Sequence, residues 1–276
     1  DKGDEMKVLF LMLKVRQDFH NSFTVALQKF PKTEVKEYNY LERFKAIGRD
    51  RMNQEVLALV KSWKPWITLC IMYQDQIKRE TFEAMREAGT VVCGWFCDDR
   101  ARWNDYSKNY APHLDHSITT DHFSVKRYED IGCKVILSQW GSTPEMFKPV
   151  VADKIYDISF IGGVHGGRKE WIEFLKSKGV RVAWFGNEPG KYLNVPDQNK
   201  VIAQSKINLN FTGNSHDNSI KQIKTRFFEI PAAGGFLLSE YAPKIEDYYV
   251  LGKEIVAFKT QKELVEKIRY FCEHDE

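Results

Sequence analysis

Short apolar runs alternate with amphipathic segments along almost the whole chain, and this alternation limits the fold more than any other feature. The segments "MKVLFLML" (6–13), "KPWITLCIMY", "TVVCGWFCDD", "HSITTD" and "KVILSQW" have strand length, and "EVKEYNY" is a short alternating segment that also reads as a strand. Between them lie "SFTVALQKF", "MNQEVLALVKSW", "KRETFEAMREAG" and "HFSVKRYEDIG", which have helical spacing; the last two close on Gly89 and Gly132. The strands are mostly continuous apolar runs rather than polar–apolar alternations. Such strands are buried on both faces, as in a parallel sheet covered by helices.

The pattern pauses at "GSTPEMFKPVVADKIY", where two prolines and mixed polarity predict a linker near 148–156. It restarts with "DISFIGG", "RKEWIEFLKSKG", "RVAWFG", "QNKVIAQS", "KINLNF", a short helix around Glu229, "GFLLS", "EIVAFK" and "KELVEKIRYFCE". A chain of 276 residues has room for two domains of ordinary size. The prediction is α/β: two Rossmann-like βα domains facing across a cleft, residues 1–150 and 151–276, with sites beyond the carboxyl ends of the strands.

Bulk properties exclude several classes. A net charge of +3, from 41 basic and 38 acidic residues, gives no general basic footprint for nucleic acid. No apolar run approaches the ~20 residues that span a bilayer, so no transmembrane segment is expected. Cys70, Cys93, Cys97, Cys133 and Cys272 are scattered and odd in number, which fits reduced thiols in a cytoplasmic protein. Cys93 and Cys97 sit roughly 13 Å apart on an extended strand, too far to share a zinc ion. His113, His116 and His122 span a turn and a strand start without a common face and read as solvated, so no metal site is expected. Met6 is the expected natural start, with "DKGDE" upstream of it.

The C-terminal half carries the chemistry. "SFIGGVHGGRKEW" places four glycines and Arg168-Lys169 between a strand and a helix, where backbone amides and a helix N-terminus can meet an anion. The other reading is a solvated turn with two surface cations. "KINLNFTGNSHDNSIKQIKTRFFEIPAAGGFLLSE" then leads through an Asn-rich loop into a short helix. Thr225 is expected to cap that helix, Pro231 to interrupt it and Gly234-Gly235 to end it. Arg226 and Glu229 share a helical face and read either as an i,i+3 ion pair or as site residues. Glu229 lies among Phe227, Phe228, Ile230, Pro231 and Ala232, and a buried acid in such company needs hydrogen-bond partners, which ligand hydroxyls would supply.

The order "ISFIGG…R…W…FLKSKGVRVAWFG", "A…SKINLNF", "K.RFFEIPAAGGFLLSE", "Y…GKEIVAFKTQKELVEKI" resembles the nucleotide-sugar domain of GT-B glycosyltransferases, of the variety typified by the spore maturation protein CgeB. The resemblance covers most of 155–270. It implies a metal-independent glycosyltransferase of the hexosyltransferase class with no cofactor, which moves a sugar from a nucleotide sugar, a UDP-sugar, to an acceptor hydroxyl. The acceptor is a glycan, a protein, a small molecule or a modified nucleic acid. Glu229 would hold the donor ribose. Gly162, Gly163 and Arg168 would cradle the diphosphate, and Lys224 or Arg226 would add positive charge. Many retaining relatives carry a second acid eight residues before the first; here that position is Lys221. The resembling proteins continue past the end of this chain into further helices. A sugar-nucleotide epimerase of the same fold, or a non-catalytic sugar- or nucleic-acid-binding module, is the alternative reading.

"ITTDHFSVKRYEDIGCKVILSQWGSTPEMFKP" resembles the end of a GT-B acceptor domain, with Gly141, Glu145, Phe147 and Pro149 in matching places. Three residues of this half are candidates for catalysis. His20 follows the first strand and can take a proton from an acceptor hydroxyl near neutral pH, or can be a loop histidine with no role. Asp98 and Asp99 end "VVCGWFCDD"; neighbouring side chains point opposite ways, so one of them is expected to face the cleft, as a base or a sugar ligand. Their other reading is a helix cap. Of Trp63, Trp66, Trp95 and Trp103, most read as core, with Trp95 or Trp103 placed to stack on a sugar near Asp98.

Overall fold

The computed structural model describes residues 5–13, 19–186 and 192–274. The chain divides into two compact units, 1–139 and 140–276, each built on one parallel sheet.

The first unit contains β1 (Met6–Met12), β2 (Thr33–Asn39), β3 (Ile67–Ile71), β4 (Val91–Phe96), β5 (His116–Thr119) and β6 (Val135–Leu137), in the order β2-β1-β3-β4-β5-β6. All its pairings are parallel, as the continuous apolar runs required. Val8, Leu9, Phe10 and Leu11 of β1 are all buried, so both faces of this strand are covered. The helix Arg49–Trp63 ends at Lys64, which takes the left-handed conformation (φ +53) usually left to glycine. A second helix, Tyr40–Ile47, follows β2 without a loop and was not legible in the sequence. Its "YLERFKAI" continues the polar–apolar rhythm of β2, and the change of period is set by Asn39, whose side chain accepts from Glu42 N at 3.3 Å.

The second unit contains β7 (Tyr156–Ile161), β8 (Ala183–Phe185), β9 (Ser205–Asn210), β10 (Leu237–Glu240) and β11 (Val256–Phe258), in the order β11-β10-β9-β7-β8. Read from β8, this is the 2-1-3-4-5 order of a doubly wound sheet, and the first five strands of the other unit repeat it. One core layer is aromatic: Phe160, Phe211 and Phe258 are almost fully buried, with the helical Trp171 stacked on Phe211 at 5.8 Å. Burying each phenyl ring contributes about 1.5–3 kcal/mol. The sheet interior also holds a polar ladder. Ser205 donates to Ser159 Oγ (2.7 Å), Ser159 to Asn208 Oδ1 (3.1 Å) and Asn210 to Ser239 Oγ (2.9 Å), so these buried groups are satisfied across three strands.

Candidate functional site

Parallel strands bring all their carboxyl ends to one edge of the sheet. In the second unit the strand order reverses between β7 and β9, because the chain leaves β7 towards β8 and leaves β9 towards β10 on the other side. Ligand crevices in doubly wound sheets form at such a point. The two segments that rise there are the glycine-rich turn 162–167 and the loop 211–225.

These segments are pressed together. A Cβ on Gly166 (φ +69) would lie 2.6 Å from the Gly213 carbonyl oxygen, so only glycine lets them close. The Asn-rich loop is itself folded. Gly213 bridges Lys221 in antiparallel fashion, and Asn214 N donates to Ile220 O at 3.0 Å. The buried Asn214 side chain accepts from His216 N (2.7 Å) and donates to Gln222 Oε1 (3.0 Å).

Arg168 opens the helix Arg168–Ser177 and is buried, with 8% of its surface exposed. It is therefore not one of the two surface cations allowed by the alternative reading of this turn; Lys169, its neighbour, is exposed. Arg168 Nη1 donates to Gly163 O (3.2 Å) and lies 3.3 Å from His165 Nε2, while Nε makes no hydrogen bond. Burial pulls its pKa down to about 10, and the nearby Glu240 charge opposes that shift. Gly162 is fixed from two sides: Trp184 Nε1 donates to its carbonyl (2.9 Å), and a Cβ there would lie 2.6 Å from the Phe160 ring.

The helix Arg226–Ala232 carries Glu229, 13% exposed, in an i,i+3 ion pair with Arg226. Arg226 Nε also donates to the Ile161 carbonyl at the end of β7 (3.1 Å), so the guanidinium joins Glu229 to the sheet edge. The ion pair weighed from the sequence is therefore present, but it is largely buried rather than a surface pair. Lys224 is half-buried just before this helix. Two sequence expectations for the helix are corrected. Thr225 has helical backbone angles and makes no side-chain capping bond. Pro231 does not interrupt the helix, which continues to Ala232; the Phe227 carbonyl that lacks a proline amide accepts from Tyr249 Oη at 2.8 Å. Gly234 (φ +75) then ends the helix, its N–H bonding Pro231 O, and Gly235 N bonds Ile230 O.

One acid at this edge was missed by sequence reasoning. Glu240 ends β10 and is 5% exposed. Its Oε2 accepts from Thr212 N (2.8 Å) and Thr212 Oγ1 (2.9 Å), and Lys221 Nζ lies 2.8 Å from its Oε1. The signal was the terminal glutamate of "GGFLLSE", an acid closing a buried strand.

In the first unit His20 falls in the first turn of the helix Phe19–Gln28, and its side chain lies outside the described residues. β4 ends at Phe96, so Asp98 and Asp99 sit beyond the strand, at the start of the helix Asp99–Arg102. Asp98 is half-buried and makes no capping bond with its side chain; Cys97 Sγ lies 3.8 Å from its Oδ2. Asp99 is 1% exposed and accepts from Ser107 Oγ (2.6 Å) and Tyr128 Oη (2.8 Å). Burial pushes its carboxyl up to about 6 against these hydrogen bonds. Asp99 is thus enclosed, while Asp98 is only half-buried. Trp95 packs edge-on against Phe23 in the core, and Trp103 packs edge-on against Tyr128. His113 pairs with Glu83 at 2.7 Å. Among the described residues no group of three or more His, Cys, Asp or Glu is placed to hold a metal ion, and no helix is long and apolar enough to cross a membrane.

Comparison with solved structures identifies this architecture. The chain is similar to the lipopolysaccharide outer core galactosyltransferase WaaB in its apo form (TM-score 0.57, 12% identity, covering 98% of this chain and 91% of that one). It is similar to a glycosyltransferase from Rickettsia africae ESF-5 (TM-score 0.60, 10% identity, 98% and 88%). An α1,3-fucosyltransferase with GDP matches at a TM-score of 0.55, with 12% identity, over 99% and 79%. The fold is GT-B. Residues 168–276 match the family model described as glycosyl transferase-like. No curated protein matches the sequence. The glycosyl transferase-like match begins at Arg168 and includes Lys221, Lys224, Arg226, Glu229 and Glu240, so most of the polar edge of the second GT-B unit lies inside it.

Proposed function

We propose that this protein transfers a sugar from a nucleoside diphosphate sugar, with uridine as the base, to an acceptor hydroxyl, and that its second unit binds the donor. The observation that carries this reading is the set of groups at the switch point. A buried arginine with an unused donor, a glycine turn beside a helix N-terminus and an acid-bearing helix all meet where β7 and β9 end. Arg168 and the turn amides suit a diphosphate, and Glu229 suits the hydroxyls of ribose. The glycosyl transferase-like match over this unit and the similar fucosyltransferase solved with GDP support a nucleoside diphosphate sugar as donor, and the choice of uridine rests on the family resemblance alone.

In the transfer step the bond between sugar C1 and the phosphate oxygen breaks, and its electron pair stays on the diphosphate. A bond forms from C1 to the acceptor oxygen, and the hydroxyl proton passes to a base. Asp98 is assigned as that base, because the Asp99 carboxylate is enclosed by Ser107 and Tyr128. Arg168 stabilises the charge that develops on the leaving diphosphate, without a metal ion.

A thermal-shift panel of UDP-, GDP-, ADP- and TDP-sugars tests the proposal. UDP-sugars are expected to raise the melting temperature, and Glu229→Ala to abolish the rise. A chain that none of the four stabilises is not a nucleotide-sugar enzyme.

A further inference from the structure

Glu240 poses a problem that the donor reading does not use. It is a buried carboxylate at the end of β10 that takes two hydrogen bonds from Thr212 and one ion pair from Lys221, and its charge is felt by Arg168. One acid thus faces two cations from different segments. Lys221 is also fixed by its backbone: it bridges Gly213, and the Gly213 carbonyl lies against Gly166 in the glycine turn. Thr212, Gly213, Lys221 and Glu240 therefore form a frame on the same turn that Arg168 closes. The lysine is not sealed in this frame, because 30% of its side chain remains exposed. Arg168 Nε, by contrast, is buried without a partner. Together with Arg168 this frame holds one more positive than negative charge, and the Gly213–Lys221 bridge anchors it on backbone.

We infer that Lys221, held in place by Glu240, is a second phosphate-binding cation of the donor site and contacts the phosphate that carries the sugar. Glu240 is a positioning residue: it fixes the ammonium beside the glycine turn and does not itself touch the donor. This inference rests on the proposed donor site and adds a division of labour, with Glu229 on the nucleoside side and Lys221 on the terminal phosphate.

Calorimetric titration of the full chain with the pairs UMP/UDP and GMP/GDP separates these roles. Lys221→Met is expected to weaken diphosphate binding about tenfold, while monophosphate binding stays within about twofold. Lys221→Arg is expected to restore most of the loss, and Glu240→Gln to shift the diphosphate in the same direction as Lys221→Met. A merely structural Lys221–Glu240 pair would weaken both members of a pair equally, or neither, and either result overturns the inference while leaving the donor site standing. A wild-type chain that binds none of the four nucleotides overturns the donor site and this inference with it. Lys221→Met leaves Glu240 its two hydrogen bonds from Thr212, so the variant is expected to fold with a lowered melting temperature, and its melting curve verifies this before titration.

Discussion

Tyr249 Oη donates a 2.8 Å hydrogen bond to the Phe227 carbonyl, the acceptor that a proline at position 231 leaves without its helical amide. A residue from a later loop thereby completes the backbone of the helix that presents Glu229. Removing the hydroxyl leaves a buried carbonyl unpaired, so Tyr249→Phe is expected to cost about 1–2 kcal/mol in urea denaturation. In a Pro231→Ala background the alanine amide can serve that carbonyl. The same Tyr249→Phe change should then cost clearly less, and equal costs in both backgrounds would refute the link.

Arg226 and Glu229 are paired and only 22% and 13% exposed, so deleting the cation leaves a carboxylate with little solvent. Arg226→Met is expected to destabilise the chain by about 2 kcal/mol, more than Glu229→Gln does, since the guanidinium left by Glu229→Gln is the more exposed partner and keeps its bond to the Ile161 carbonyl. Denaturant midpoints of the two single variants and the double variant check this. The double variant should be less destabilised than the sum of the two.

Asp99 gives stability a pH dependence of unusual sign for a carboxylate. Its folded pKa is raised to about 6 by burial, above its value in the unfolded chain, so the folded state holds the proton more tightly. Its contribution is then largest below about pH 4 and is lost as pH rises through about 6. The stability difference between the native chain and Asp99→Asn should fall by on the order of 2–3 kcal/mol from pH 4 to pH 7. Denaturation at matched pH values measures this directly, and a difference that is flat or rises with pH excludes it.

Gly235 lies where the helix Arg226–Ala232 turns into β10. A Cβ there would overlap Ile202 Cγ2 and lie 2.9 Å from Asn208 Nδ2. Gly235→Ala is expected to cost about 1–3 kcal/mol through this crowding. Gly141→Ala, at a glycine with open space around it, should be nearly neutral in the same melting experiment.

The fold was largely legible. The central strands, such as β1, β3, β7 and β9, were marked by apolar runs, because a parallel strand covered on both faces is apolar along most of its length; the edge strand β2 instead alternates, and no residue of it is buried. The helix Tyr40–Ile47 was not legible, since it begins without a loop and its pattern merges with that of β2. Local rules also failed around Glu229. Thr225 and Pro231 were read by their usual positional preferences, and in this helix the Tyr249 hydroxyl overrides the second of these from 18 residues away.

The sequence by itself determined the α/β class, the strand–helix succession and the concentration of polar residues after β7 and β9, all of which follow from contacts close in the chain or from burial of single segments. Only the tertiary structure decided which of those polar residues meet. Arg168 is buried rather than exposed, Glu229 is paired with Arg226, Asp99 is turned inward, and Glu240 sits against Lys221 and Thr212. The reason is physical. The charge state and reach of a side chain depend on neighbours brought together by strand order, and strand order joins residues that no local pattern links.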